Sequence, residues 1–212
     1  MRYYVFDLDD TLYPRGSGVM EEVRRLILGY MTERLQMLPE EANTLRQRYL
    51  IQYGTTMAGL LRHWHIDPDD YLAYVHPVPI DRFLEPNPEL DQVLEGIADP
   101  KAIWTNASRR HAERVLDVLG IGRHFWPIVD VCDMSYVSKP APELYPRLVS
   151  LLGVEAHDCI LVEDSVRNLR PAKSLGMTTV LVDGEPDDTV DFVIGRVEQI
   201  GALARSLPIA RA

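Results

Sequence analysis

The sequence predicts an α/β fold, in which a Rossmann-like parallel sheet carries helices on both faces. Short β-rich segments alternate with helical patterns along most of the chain, which is typical of parallel strands joined by helices. Several of these segments are apolar throughout, as expected of strands that are covered on both sides. The predicted strands are residues 3–8, 102–105, 128–132, 159–162, 178–182 and 192–194.

A long segment without a strand pattern separates the first two predicted strands. Its apolar residues recur at helical spacing, and Pro39 and Pro68 are each followed by acidic residues, as in the first turn of a helix. A proline-rich stretch, residues 76–88, then ends the helical pattern. We therefore predict a helical cap, residues 15–83, inserted into a catalytic core made of residues 1–14 and 84–212.

Composition and charge narrow the possible partners and locations. With 212 residues, 46% of them hydrophobic, the chain can fill one core with a modest insertion. A net charge of −10 and the lack of a basic run disfavour nucleic-acid polymers as partners. No apolar segment approaches the roughly 20 residues of a spanning helix, so no membrane association is expected. The start resembles no secretion signal, which favours a cytoplasmic location, and the sequence leaves the oligomeric state open.

The two cysteines and the chain end give smaller expectations. Cys132 and Cys159 both fall inside predicted strands, so buried free thiols are expected rather than a disulfide. This pattern suits a reducing compartment. The end of the chain is expected to fray from about Leu207.

Two aspartates end the first predicted strand. Residues two apart in an extended chain point to the same side, so Asp7 and Asp9 lie close together. Two neighbouring carboxylates repel each other unless a cation or a shared proton intervenes. The carboxyl end of a parallel strand is also where open α/β sheets bind ligands. The pair therefore indicates a metal site, although an isolated Asp-X-Asp is more often a solvated turn.

Further polar residues follow later strands. Thr105 and Asn106 end the second strand, where a hydroxyl and an amide can hold a phosphate oxygen, and Thr105 alone could equally be a helix cap. Lys139 precedes a helix that begins with proline, which adds a positive charge to the helix N-terminus, although single lysines are usually only solvated. Glu163 and Asp164 end another strand and offer the oxygen ligands that Mg²⁺ prefers, with helix capping by Asp164 as the alternative.

Taken in order, these features resemble the signature of the haloacid dehalogenase superfamily. That signature combines Asp-X-Asp-X-Thr, here residues 7–11, with a Thr or Ser, a Lys and an acidic pair followed by Asn or Asp. The resemblance implies a magnesium-dependent phosphomonoesterase with a helical cap, and it covers nearly the whole chain. Halide-displacing members lack the second aspartate, so the presence of Asp9 disfavours dehalogenation.

By this resemblance each residue takes a role. Asp7 would be the nucleophile that becomes an aspartyl phosphate, and also a metal ligand. Asp9 would be the general acid and base and would offer its backbone carbonyl to the metal. Asp164 would be a further metal ligand, and Glu163 either a ligand or an acceptor for a metal-bound water. Thr105 and Lys139 would hold the transferring phosphoryl group.

A narrower resemblance concerns the substrate. Residues 10–14, 53–57 and 104–108 look like segments of the pyrimidine 5′-nucleotidase branch, which implies a nucleoside monophosphate substrate. Tyr53, Thr55 and Thr56 in the cap would then grip the base or sugar, with Asn106 binding the phosphate. Alternatively, Gly54 ends one helix and Thr55 caps the next. Sugar phosphates or phosphoglycolate, a phosphomutase reaction, and a non-catalytic phosphate- or metal-binding relative remain as alternatives.

Overall fold

The central feature is a six-stranded parallel sheet. The computed structural model describes residues 2–207, and the expected fraying beyond Leu207 lies outside this range. The strands are β1 (Tyr3–Phe6), β2 (Lys101–Trp104), β3 (Ile128–Val129), β4 (Cys159–Glu163), β5 (Thr178–Val182) and β6 (Phe192–Ile194). They lie in the order β3-β2-β1-β4-β5-β6, and every neighbouring pair is parallel. The predicted α/β fold class is confirmed.

Nine α-helices connect or flank these strands within the described part of the chain. They are α1 (Val19–Glu33), α2 (Pro39–Tyr53), α3 (Thr56–Trp64), α4 (Pro68–Val75), α5 (Pro88–Glu95), α6 (Arg109–Leu119), α7 (Leu144–Leu152), α8 (Val166–Leu175) and α9 (Ile200–Ser206). None of those within residues 2–207 is long and apolar enough to cross a membrane.

Apolar side chains cover both faces of the sheet. Along β1, Tyr4 and Phe6 belong to one buried cluster and Tyr3 and Val5 to another, because successive side chains of a strand point to opposite faces. All four positions are buried, which explains why this strand is apolar throughout. The site-forming end of the sheet is therefore held rigidly from both sides.

Helices α1–α4 lie between β1 and β2 and share a separate apolar cluster that includes Met31, Leu60 and Leu72. Pro39 and Pro68 stand at the first positions of α2 and α4, where a missing N–H costs nothing. The helical character predicted for this insertion agrees with the structure. We propose that these helices form the cap over residues 15–83.

The structure corrects the end of one predicted strand and the environment of one cysteine. Strand β3 stops at Val129, and Cys132 lies in the following turn with its side chain exposed, so its predicted burial is wrong. The cause is Asp130, whose Oδ1 accepts a hydrogen bond of 2.9 Å from the backbone N–H of Asp133 and closes a turn. Cys159 is buried in β4, and both thiols are free, as predicted.

Candidate active site

Carboxylates from two neighbouring strands meet at the carboxyl edge of the sheet. Asp7 directly follows β1, and its backbone N–H donates a hydrogen bond of 2.9 Å to the carbonyl of Val162 in β4. Glu163 ends β4 and Asp164 follows it. One oxygen of each of Asp7, Glu163 and Asp164 lies within 4.8 Å of the others. The parallel pairing of β1 with β4 is what brings these distant parts of the sequence together.

Lys139 reaches into this cluster from the loop before α7. Its side chain is fully buried, and Nζ donates hydrogen bonds of 2.7 Å to Asp7 Oδ1, 2.8 Å to Glu163 Oε2 and 2.8 Å to the carbonyl of Trp104. An ammonium has three N–H donors, so all are used. To hold a phosphoryl oxygen, as predicted, Lys139 must exchange one of these bonds. In the structure it neutralises Asp7 and Glu163 instead.

Asn106 fixes the backbone of Lys139. Its Oδ1 accepts a hydrogen bond of 2.7 Å from the Lys139 N–H, and its Nδ2 donates one of 3.1 Å to the Lys139 carbonyl. Oδ1 and one N–H of the amide therefore orient the lysine loop, and the second N–H stays available for the predicted contact with a phosphate. Thr105 is also buried, and its Oγ1 accepts a hydrogen bond of 3.0 Å from the N–H of Ala107. The hydroxyl hydrogen of Thr105 stays available for a phosphate oxygen.

Burial and mutual repulsion make the carboxylates retain protons. Burial, and next the charge of Glu163, raise the pKa of Asp7 to about 7, against the opposing effect of Lys139. Burial likewise raises the pKa of Glu163 to about 7, although Lys139 opposes this. Burial alone would lower the pKa of Lys139, but Asp7 and Glu163 raise it well above its ordinary value. The ammonium stays charged while the carboxylates need more positive charge than it supplies.

These residues fit a divalent cation. Glu163 Oε1 is buried and has no hydrogen-bond partner among the described residues, which is costly unless a ligand or an ion meets it. Three carboxylates form the all-oxygen donor set that Mg²⁺ prefers. The Asp164 Oδ2 atom already pairs with the Arg15 guanidinium at 2.6 Å, but Arg15 is half-exposed and can move aside.

The side chain of Asp9 faces a different set of partners. Its Oδ1 lies 2.8 Å from Nε2 of His111, a buried residue of α6, and accepts a hydrogen bond of 2.6 Å from the Tyr13 hydroxyl. Burial would raise the pKa of Asp9, but His111 and the Tyr13 hydroxyl lower it. No hydrogen bond from residues 2–207 reaches Oδ2, so the second oxygen of Asp9 is free to exchange a proton with a substrate.

Both aspartates open into one cavity of about 430 Å³ beneath the four helices between β1 and β2. Asp7, Asp9 and Thr105 line its floor, and its walls are largely apolar. The wall residues that α1, α3 and α4 supply include Met20, Val23, Ile27, Met57, Tyr71, Leu72 and Val75. The cavity can therefore hold a small molecule whose phosphate reaches Asp7.

Of the three cap residues predicted to bind substrate, two line the cavity and one does not. Thr56 is buried and lines the cavity. Thr55 lines it too, but its Oγ1 accepts a hydrogen bond of 3.1 Å from the N–H of Ala58, capping α3, and lies 3.0 Å from Ser138 Oγ. Tyr53 is not among the lining residues: its hydroxyl lies 2.7 Å from His63 Nε2 in a separate surface depression. The helix-capping alternative therefore describes Thr55, and Tyr53 does not meet Asp7.

Gly54 joins the helical insertion to the lysine loop. It has φ +89°, and a Cβ built on it would lie 2.3 Å from the Lys139 carbonyl oxygen. Only glycine allows this approach, and it ends α2 as the sequence alternative proposed. The position of the helical insertion and that of Lys139 are therefore directly linked.

Comparison with known proteins decides the family. A model of the haloacid dehalogenase-like hydrolases matches residues 1–176 of this chain. The chain belongs to that family. The resemblance inferred from the four motifs is thus confirmed for the superfamily, while the pyrimidine 5′-nucleotidase branch is not specifically shown.

Several relatives of this haloacid dehalogenase-like hydrolase are phosphatases. It is 28% identical to the glyceraldehyde 3-phosphate phosphatase of Methanopyrus kandleri, covering 96% of this chain and 97% of that protein. It is 32% identical to the phosphoglycolate phosphatase of Mesorhizobium japonicum, covering 84% and 81%. It is 25% identical to phosphate metabolism protein 8 of Saccharomyces cerevisiae, covering 85% of this chain but only 61% of that protein. Phosphatase relatives that act on small phosphorylated metabolites support a phosphatase.

Solved structures agree on the fold. The HAD phosphatase from Thermococcus onnurineus superposes with a TM-score of 0.63 and 20% identity, over 96% of this chain and 97% of that one. At this identity the match establishes the fold alone.

Sequence reasoning missed two residues beside Asp9. Tyr13 lies in the predicted motif segment, but nothing in its identity shows that the hydroxyl turns back to Asp9. His111 lies 102 residues from Asp9 along the chain. The only indication in the sequence is that His111 lies on the apolar face of a helix that follows the Thr105 segment. A histidine in such a position is more often simply a buried core residue.

Proposed function

We propose that this haloacid dehalogenase-like hydrolase is a magnesium-dependent phosphomonoesterase that acts through an aspartyl phosphate on Asp7. The observation that carries the proposal is that two neighbouring aspartates, Asp7 and Asp9, have different hydrogen-bond and charge partners. Asp7 lies among Glu163, Asp164 and Lys139, a set that can hold a cation, whereas Asp9 is bonded to His111. A nucleophile and a proton-transfer group thus stand side by side in different environments.

In the first step an oxygen of Asp7 attacks the phosphorus and the bond to the alcohol oxygen breaks. Thr11 Oγ1 donates a hydrogen bond of 3.1 Å to Asp7 Oδ2, which together with Lys139 on Oδ1 orients the carboxylate. Asp9 gives a proton to the leaving alkoxide. In the second step Asp9 takes a proton from a water that attacks the phosphorus, which releases phosphate and restores Asp7.

The predicted metal set fits this chemistry. The carboxylates of Asp7 and Asp164 and the carbonyl of Asp9 would hold Mg²⁺, with Glu163 as a further ligand or as an acceptor for bound water. When bound, the ion would supply positive charge to the phosphoryl oxygens. Thr105 would donate to one of these oxygens, and Lys139 would hold Asp7 in place and keep its charge balanced.

The substrate is a small phosphorylated metabolite. The predicted nucleoside monophosphate depends on Tyr53, Thr55 and Thr56, of which Tyr53 lies outside the cavity and Thr55 has its hydroxyl engaged. Binding of a sugar phosphate or phosphoglycolate does not require a contact with Tyr53. These substrates also agree better with the named activities of the relatives. We therefore place these esters ahead of nucleotides, and a phosphomutase reaction behind both.

A magnesium-supplemented screen tests the proposal. Purified protein is assayed for phosphate release from nucleoside monophosphates, sugar phosphates and phosphoglycolate, beside Asp7→Asn as a control that keeps the shape of the side chain. We expect turnover by the wild type, none by the variant and none after chelation. If the wild type turns over no ester of a broad panel, the non-catalytic alternative replaces this proposal.

A further inference from the structure

The cavity above Asp7 contains two guanidinium groups that the proposed chemistry does not use. Arg24 of α1 and Arg46 of α2 both line this cavity, as do apolar side chains and the carboxylates of the floor. They are close enough to each other that Arg24 contributes to lowering the pKa of Arg46, after the larger effect of burial. Two like charges thus lie near each other in the part of the cavity that α1 and α2 form.

The two groups differ in burial, since Arg46 is half-buried and Arg24 is exposed at the edge of the cavity. Arg46 makes one long hydrogen bond, 3.4 Å to Asn43 Oδ1, and its Nε is buried without any partner. No carboxylate within residues 2–207 pairs with Arg24 or Arg46. A buried guanidinium N–H without an acceptor is costly, and repulsion between the two arginines adds to that cost. An anion placed between them would relieve both.

The third arginine of the cavity wall shows the difference. Arg167 donates hydrogen bonds of 2.6 Å to the carbonyls of Leu50 and Ile51, and so satisfies the otherwise free end of α2. Its place is structural. Within residues 2–207, neither Arg24 nor Arg46 binds the carbonyls of a helix end in this way. Arg48, also in α2, lies outside the cavity, with its guanidinium 5.7 Å from the centre of the Tyr49 ring.

We propose that Arg24 and Arg46 form a subsite for a second anionic group of the substrate. The preferred substrates are then compact phosphate monoesters whose alcohol carries a carboxylate or a second phosphate. This inference rests on the proposed function, since it assumes that the transferred phosphoryl group lies at Asp7. Guanidinium groups bind both kinds of anion through paired N–H donors. Nucleosides and simple sugars lack that second charge.

Two matched pairs of esters test the subsite. Phosphoglycolate is compared with 2-hydroxyethyl phosphate, which replaces its carboxylate by a neutral group, and propanediol bisphosphate with propanediol monophosphate. We expect higher kcat/KM for the anionic member of at least one pair. Arg24→Gln and Arg46→Gln should reduce that preference by roughly 10- to 100-fold, the worth of a charge-assisted hydrogen bond, and leave the neutral esters nearly unchanged. Arg48→Gln is the control and should keep the preference.

The outcomes separate this inference from the function on which it rests. A preference for phosphoglycolate identifies a carboxylate as the second group, and a preference for the bisphosphate identifies a phosphate. Equal kcat/KM within both pairs, or equal losses on charged and neutral esters in the variants, would overturn the subsite. If no ester is hydrolysed, the proposed function fails, and the subsite is judged by calorimetric binding of the same pairs to Asp7→Asn. Tighter binding of a charged member then supports it, and equal binding rejects it.

Discussion

Replacing Lys139 by methionine tests the charge balance of the site. Methionine keeps most of the volume but removes the ammonium, so Asp7 and Glu163 remain as two buried carboxyls without their cation. Removing one partner of a buried ion pair costs roughly 3–5 kcal/mol. The carbonyl of Trp104 also loses its donor. We therefore expect a loss of unfolding free energy in this range near pH 8.

The loss should depend on pH in a defined direction. The pKa of Asp7 and that of Glu163 are already raised to about 7, and both rise further without Lys139. Carboxyls with raised pKa favour the folded state while they hold protons, so the stability of both proteins falls as pH increases from about 4.5 to 7, and above about 7 the variant continues to lose stability after the wild type has stopped. Each group contributes up to about 1.4 kcal/mol per pH unit in that window. The variant should thus be nearest to the wild type at pH 5.

Urea denaturation between pH 5 and 8 measures this effect, with Lys101→Met as the control. Lys101 is also buried, but its Nζ donates to the carbonyls of Ile97 and Asp99 rather than to carboxylates. Its replacement should cost stability by a similar amount at every pH in this range. Mg²⁺ should recover part of the loss in Lys139→Met only. A loss below about 1 kcal/mol at pH 8, or one that is independent of pH, would refute the reasoning.

Three further predictions follow from the same contacts. His111→Phe removes a hydrogen bond to Asp9, worth about 1.5–3 kcal/mol, and should lower kcat by roughly 10- to 100-fold for poor leaving groups with little change in KM. Gly54→Ala should cost about 1–3 kcal/mol of stability and reduce turnover, because its Cβ displaces the lysine loop. The affinity for Mg²⁺, measured by calorimetry, should fall as pH drops below about 7, since Asp7 and Glu163 must release protons before binding.

Matched variants control two of these tests. His124→Phe removes a comparable contact, because its Nε2 lies 2.8 Å from Asp91 Oδ1 away from the cavity, and kcat should not change. Gly176→Ala has nearly the same backbone strain, with φ +93° but no atom within 4 Å of the added Cβ, and it should keep full turnover. If His111→Phe slows good and poor leaving groups equally, Asp9 is not the group that His111 orients. If Gly176→Ala loses as much activity as Gly54→Ala, the effect at Gly54 does not come from displacement of the lysine loop.

The fold and the floor of the site could be predicted because strand patterns and strand ends are local. Asp7, Thr105 and Glu163 each follow an apolar run, and parallel strands align their carboxyl ends at one edge. The turn after β3 escaped prediction, since Val131 and Cys132 look like strand residues. The Asp130 carboxylate, which bonds the backbone of Asp133, decides that the chain turns there.

Side-chain direction and helix placement could not be predicted from the sequence. Tyr53 and Thr56 lie three residues apart, but a helix end at Gly54 turns one outward and the other into the cavity. The contact between Asp9 and His111 depends on how α6 packs beside β1, which no local pattern encodes. For the same reason the sequence does not show that Arg24 and Arg46 line one cavity, since this depends on how α1 and α2 pack.

Trapping the phosphorylated enzyme tests the central claim most directly. In Asp9→Asn the first step still proceeds with p-nitrophenyl phosphate, because nitrophenolate leaves without a proton, whereas attack by water lacks its general base. With Mg²⁺ present, acid quenching and peptide mapping by mass spectrometry should find one phosphate bound to Asp7, formed at the same time as a stoichiometric burst of nitrophenolate. A burst without phosphate on Asp7, or phosphate on another residue, would contradict the account.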